Sequence, residues 1–158
     1  MHTHSYTHTR TKTHTHDHTP IAHLMRQPAV IALITACALM AVAHGPYYTF
    51  YSIHLVGFGY SKAAVGWLWS LGVICEIAIF FWMAHLFRAF TLRQVLIASF
   101  ALAGIRFAVI AVCGDALVPL LLAQTLHAAS FGSFHAAALG YIHRFFRGRN
   151  QARGQAIY

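Results

Sequence analysis

The sequence predicts an all-α integral membrane protein, and three observations carry that prediction. Of the 158 residues, 58% are hydrophobic and only 9% are Asp, Glu, Lys or Arg, against about 25% charged residues in soluble globular domains. The apolar residues gather into four runs, each as long as the roughly 20 residues a helix needs to cross a bilayer core. The basic residues, which give a formal net charge of +8, lie mainly in the short gaps between those runs. That distribution is the mark of membrane topology and not of a nucleic-acid-binding face, so no nucleic acid is expected as a partner.

The chain opens on HTHSYTHTRTKTHTHDHT, in which His and Thr alternate almost without break. The tract has no apolar period and cannot build a core, so residues 1–27 are expected to form a disordered cytoplasmic tail. Two readings of the tail stand side by side. His tracts bind zinc, copper and nickel. A CA dinucleotide repeat in DNA also translates as His-Thr, with no selected function. Cys37, Cys75 and Cys113 have neither zinc-site spacing nor an even count, and read as small apolar fillers.

The four spans are expected at about Ala29–Leu55, Ala63–Phe87, Leu92–Val112 and Leu117–Phe145. Continuous apolar runs show no helix or strand period, but their length selects helices. An A-x-A signature at Ala41–Ala43 suggests signal cleavage, yet the apolar character continues through Leu55. The gaps Val56–Lys62, Arg88–Thr91 and Cys113–Ala116 are short, which makes neighbouring helices antiparallel. Arg26, Arg88, Arg93, Arg144, Arg147, Arg149 and Arg153 then share one side, and Lys62 and Asp115 the other. The positive-inside rule places the arginine side in the cytoplasm. The expectation is a multi-pass protein of the cell's inner (plasma) membrane with both termini cytoplasmic.

Two charges are buried in the spans. Glu76 lies twelve residues before Arg88, and Arg106 thirteen residues after Arg93. At 1.5 Å per residue both groups sit roughly 18–20 Å from the inner end. They are therefore expected to pair. Intramembrane charges mark functional sites by default, so Glu76 is the expected proton acceptor and Arg106 an anion-binding group. A purely structural ion pair is the other reading.

The first and last spans carry the remaining polar groups. His44, Tyr48 and Tyr51 follow helical spacing, with Tyr47 beside them and a Gly45-Pro46 interruption. Such breaks either open a substrate site or merely kink the helix. In the last span Gln124, His127, Phe131 and His135 form one stripe. Beside it Ala128, Gly132, Ala136 and Gly140 recur every fourth residue, letting another helix approach closely. These polar and aromatic residues are the expected substrate cavity. His127 reads as a proton relay or substrate donor, or with His135 as an interhelical hydrogen bond. Trp67 and Trp69 read as part of the outer aromatic belt. His54, His85 and His143, near helix ends, read as interfacial.

At this point the residues resemble a known family. His44-Gly45-Pro46-Tyr47-Tyr48-Thr49-Phe50-Tyr51-Ser52 followed by Gly59-Tyr60-Ser61 is similar to the seventh helix and loop of major facilitator transporters. The resemblance is to the phenylpropionate-permease and nucleoside–proton-symporter-like subgroup. Gly66, Leu68-Trp69, Gly72-Val73 and Glu76 resemble its eighth helix, and Arg106 a ninth-helix arginine. Gln124, Leu126-His127-Ala128, Phe131-Gly132 and His135 resemble its tenth, and residues 153–158 the start of its eleventh. The turn before the ninth helix keeps Arg88 and Arg93 but has Phe87 where an aspartate is usual. The resemblance implies that residues 28–158 correspond to helices 7–10 of a twelve-helix carrier, part of its second half. The other half would be a partner in the intact protein.

The resulting expectation is a fragment of a secondary active transporter, a proton-coupled symporter of a small organic, aromatic or carboxylate solute. Its partners are the lipid bilayer, the solute and the proton. No cofactor or metal is called for, and an enzyme is not expected, because no nucleophile–base set, phosphate loop or paired carboxylate is present. Two alternatives remain open. One is a membrane remnant without transport. The other is a metal-binding membrane protein using the His tail with His44, His127 and His135.

Overall fold

The structure is a computed structural model that describes residues 20–158. The His/Thr tract lies outside the described residues. A short helix α1, Ile21–Met25, leads into α2, Pro28–Gly57. Helices α3, Lys62–Ala89, and α4, Leu92–Val112, follow. The fourth span, Leu117–Phe145, is divided: α5, Leu117–His127, passes through a π-helical turn, Ala128–Gly132, into α6, Ser133–Phe145. A 3₁₀ turn, Gly148–Asn150, precedes α7, Gln151–Ile157. No strand occurs among the described residues.

Local chemistry explains the helix bounds. Pro28 opens α2 at a position where its missing N–H costs nothing. Gly59 closes α2 with φ +89°, a left-handed backbone that favours glycine. The Tyr60 N–H then returns to the Leu55 carbonyl at 3.2 Å. The Ser61 hydroxyl caps α3 by accepting from Ala64 N–H at 3.2 Å. Thr91 and Gln94 form a reciprocal capping box at the start of α4.

The Gly45-Pro46 pair does not interrupt α2, which stays helical through Pro46. The Thr49 hydroxyl donates to the Gly45 carbonyl at 3.0 Å. The irregular backbone is instead the π turn in the fourth span. A π turn frees carbonyls, and in a membrane these must be satisfied within the protein. Serine hydroxyls do this: Ser130 donates to Leu126 O at 2.8 Å, and Ser133 to Ala129 O. Ser133 also meets Ser99 of α4 at 2.8 Å between their hydroxyl oxygens.

The four spans alternate in direction. Two loops at one end are joined where the Tyr60 hydroxyl donates to the Asp115 carbonyl at 3.1 Å. Trp67, Phe81, Trp82 and Val112, each at least 73% exposed, point outward from the bundle. Bilayer-facing helices account for such a surface.

Inside, two apolar clusters are stacked along the bundle. One holds Val30, Leu33, Met40, Ala103, Phe134, Ala138 and their neighbours; the other holds Tyr47, Tyr51, Leu55, Val65, Leu68, Ile110, Leu120 and Ala123. On every span that contributes to both, a polar residue separates them. His44 lies between Met40 and Tyr47, Arg106 between Ala103 and Ile110, and Gln124, His127 and Ser130 between Ala123 and Phe134. All five are buried. The fold thus places a polar layer between two apolar ones.

Candidate functional site

Arg106 is the centre of that layer. It is 0% exposed. Its Nη1 lies 2.9 Å from His127 Nδ1 and its Nη2 lies 2.9 Å from His44 Nε2. The guanidinium carbon stands 4.4 Å from the Tyr47 ring centroid and 4.5 Å from that of Phe107. Guanidinium is a donor only, so both imidazole nitrogens that face it accept. His44 in turn donates from Nδ1 to the Met40 carbonyl at 2.9 Å.

The Glu76–Arg106 pair is not formed, which corrects the expectation from depth. The Glu76 side chain lies over Gly132, its Cγ 3.4 Å from where a Cβ on that glycine would stand. Arg106 meets His127, five residues earlier on the same span, or roughly 7 Å along a helix axis. The α3 residue level with His127 is Gly72, one turn before Glu76. A Cβ there would come 2.9 Å from Gln124 Oε1 and 3.6 Å from His127 Cδ2. Counting residues from the inner end treats both helices as upright and says nothing of which way each side chain faces.

Gln124 accepts from the Tyr47 hydroxyl at 3.1 Å. Among the described residues, three buried polar atoms in or beside this layer have no partner: Tyr51 Oη, Arg106 Nε and Gln124 Nε2. Each brings an O–H or N–H donor. The site is therefore rich in donors, with no carboxylate among the described residues paired to the arginine.

The expected cavity residues are only partly brought together. His44 and His127 bond Arg106, Tyr47 covers its face, and Gln124 and Tyr51 pack on Tyr47; all five are buried. On α2 the inward face is His44, Tyr47 and Tyr51; Tyr48, expected on that face, is 46% exposed at its edge. Phe131 stacks on His127 at 5.2 Å and 13°. His135 does not reach Arg106. It packs edge-on against Phe131 at 4.2 Å and pairs with the Tyr158 hydroxyl. The small-residue stripe is shared between two helices: Gly132 receives Ile79 and Glu76 of α3, and Gly140 receives Leu92 of α4. The π turn rotates one half of the stripe away from the other.

Three further residues belong to the site: Trp69, Phe107 and Gly72. Trp69, assigned to the outer belt, turns inward, stacking on Tyr48 at 5.8 Å and 17° and donating to Ser52 Oγ at 3.0 Å. Phe107 covers the second face of the guanidinium. Gly72 makes room for Gln124. The spacing of Trp69 to Gly72 and Glu76 is the one signal that foretells its face, since all three fall within two turns of α3. Replacing Gly72 by valine is expected to push Gln124 away and break its bond to Tyr47. The measurable result is a lower thermal midpoint in detergent for Gly72→Val than for Gly66→Val, where no atom lies within 4 Å of the added Cβ.

The metal reading meets a physical obstacle here. His44 and His127 each direct a lone pair at a guanidinium, and a cation would have to displace another cation to use them. Among the described residues no three His, Cys, Asp or Glu side chains converge as a metal site.

Comparison with known proteins places this geometry. The MFS_1 like family matches residues 1–158. A relative from Escherichia coli (strain K12), "Probable 3-phenylpropionic acid transporter", is 39% identical over 124 residues, covering 78% of this chain. The chain spans 32%, about a third, of that relative's own length. No solved structure matches the chain. The family and the relative are transporters, not enzymes. With four membrane-length helices around a buried polar layer, the chain belongs to the MFS_1 like family of major facilitator transporters.

Proposed function

We propose that the chain forms part of a proton-coupled symporter for a small aromatic carboxylate, with Arg106 as the group that binds the anion. The observation that carries this reading is a fully buried guanidinium with neutral hydrogen-bond partners and, among the described residues, no carboxylate. Leaving a buried charge unpaired costs about 3–5 kcal/mol, and the default for an intramembrane charge is function. A carboxylate solute supplies the missing counter-ion. Tyr51 Oη, Gln124 Nε2 and Arg106 Nε, unpartnered in the same layer, supply further donors. The shell of Tyr47, Tyr48, Trp69, Phe107 and Phe131 suits an aromatic ring. The named solute of the E. coli relative has this chemistry.

Glu76 is the proton acceptor of this proposal. It is the only carboxylate among the described residues of the four spans. It is half-buried, and Tyr48 at the edge of the cavity lies within its electrostatic reach. The arginine-rich side faces the cytoplasm of the inner membrane by the positive-inside rule, and the remainder of the carrier completes the cavity.

The test is binding of 3-phenylpropionate to the chain in lipid nanodiscs, read by tryptophan fluorescence through Trp69. The expected result is saturable quenching by the acid and none by 3-phenylpropanamide, which has the same ring without the charge. Equal response to both, or to neither, overturns the anion reading.

A further inference from the structure

The geometry points to a second proton-binding site, formed by the imidazoles of His44 and His127, whose occupancy releases Arg106. This rests on reading Arg106 as the anion-binding group. The two imidazoles bridge three elements through one guanidinium: His44 on α2, Arg106 on α4 and His127 on α5. Because the guanidinium offers only N–H groups, His44 accepts at Nε2 and His127 at Nδ1. Their tautomers are therefore opposite. His44 carries its hydrogen on Nδ1, where it donates to Met40 O at 2.9 Å, and His127 carries its hydrogen on Nε2.

A proton added to either facing nitrogen converts an acceptor into a donor. N–H then opposes N–H, and one cation opposes another, so the bridge opens. Among the described residues, no charged acceptor stands beside Arg106; its further polar neighbour is the neutral Tyr47 hydroxyl. The titratable and charged groups around the imidazoles are the Tyr47 and Tyr48 rings on α2, Arg106 on α4 and His135 on α6; on α3, Glu76 lies over Gly132. Tyr47 donates its hydrogen to Gln124 and its oxygen keeps lone pairs for Arg106, but as a neutral acceptor it supplies no counter-charge.

The consequence is linkage. The freed guanidinium and the new imidazolium both favour an incoming carboxylate, so proton and anion bind more tightly together than apart. Reciprocity requires that the anion also favours the proton. In this layer the imidazole proton sets the affinity for the anion, while the proton carried across is the one on Glu76. Glu76 stands outside the bridge and is not required for it to open.

The experiment uses the full chain in nanodiscs without solute. Histidine ¹⁵N NMR, assigned by difference with His44→Gln and His127→Gln, reads the tautomers. The expected spectrum near about pH 8 has an Nδ1–H form for His44 and an Nε2–H form for His127, both converting to imidazolium on acidification. Spin labels at Val42 of α2 and Leu122 of α5, both exposed, in a background with Cys37, Cys75 and Cys113 changed to alanine, read the separation. It is expected to change over the same pH range. Glutamine accepts from arginine at any pH, so His44→Gln/His127→Gln is expected to abolish the change and Glu76→Gln to leave it intact.

Identical tautomers at the two residues, a pH change that persists in the double variant, or its loss in Glu76→Gln would each overturn the inference. Should the double variant fail to fold, the tautomers of the unaltered histidines still decide. Absence of 3-phenylpropionate binding at every pH, with tautomers and separation behaving as stated, would instead sink the anion reading alone.

Discussion

Arg106→Gln is expected to abolish 3-phenylpropionate binding while leaving the chain at least as stable as before. Truncating one partner of a buried, hydrogen-bonded charge pair costs about 2–5 kcal/mol of affinity. At about 1.4 kcal/mol per factor of ten, the loss is about three-hundredfold in the middle of that range. The stability expectation has the opposite sign. Without solute the guanidinium has no counter-ion, and replacing a buried charge by a neutral group of similar size is often neutral or stabilising. Glutamine keeps an amide donor for one of the two imidazoles.

Arg106→Lys separates charge from shape. An ammonium retains the charge but not the planar fork that spans His44 and His127 at once. Binding is expected to fall with it, and the thermal midpoint with it, because a buried point charge is left with fewer partners. A structural arginine would give the reverse for glutamine: a lower midpoint with ligand binding secondary. Paired fluorescence titrations and thermal scans of both variants in nanodiscs distinguish the two.

The fold was largely legible in the sequence because membrane spans are selected by length and polarity. The expected spans end within two residues of the observed helices, and the basic residues fall where short loops must lie. The site was legible as a list of residues and not as a set of contacts. His44, Arg106, Gln124 and His127 stand out because each is a polar residue in an apolar run. Their mutual arrangement depends on helix rotation, which continuous apolar runs do not encode: with apolar residues on every face, no stripe fixes which one points inward. Hence the sequence does not tell that Tyr47 faces inward more fully than Tyr48, that Trp69 turns from the lipid, or that Glu76 lies one turn from Arg106's level. The π turn has a faint signature in Ser130 and Ser133, whose hydroxyls take up the freed carbonyls, but serines at such spacing also occur in regular helices.

Glu76→Gln is expected to remove proton-driven accumulation while sparing solute binding, and the site's geometry makes that separation possible. Because Glu76 lies over Gly132 and Arg106 is held by imidazoles, neutralising the carboxylate leaves the anion site unaltered. A carboxylate near the midplane is costly to keep: insertion scales put it at about 2.5–3.5 kcal/mol. Glutamine nearly matches its shape without that cost, so a merely structural role predicts a stable, fully active variant. A proton-carrying role predicts a variant that exchanges solute but does not concentrate it. The measurement needs a complete carrier, which a graft supplies: residues 28–158 replace the matching stretch of the E. coli relative, and uptake of labelled 3-phenylpropionate is followed in vesicles under an imposed proton gradient. Exchange between equal pools should persist, and uphill uptake should fall to the level of vesicles without a gradient. Glu76→Asp, which keeps a titratable group one methylene shorter, should recover part of it. Uphill uptake undiminished in Glu76→Gln would move the transported proton to the imidazoles that hold Arg106.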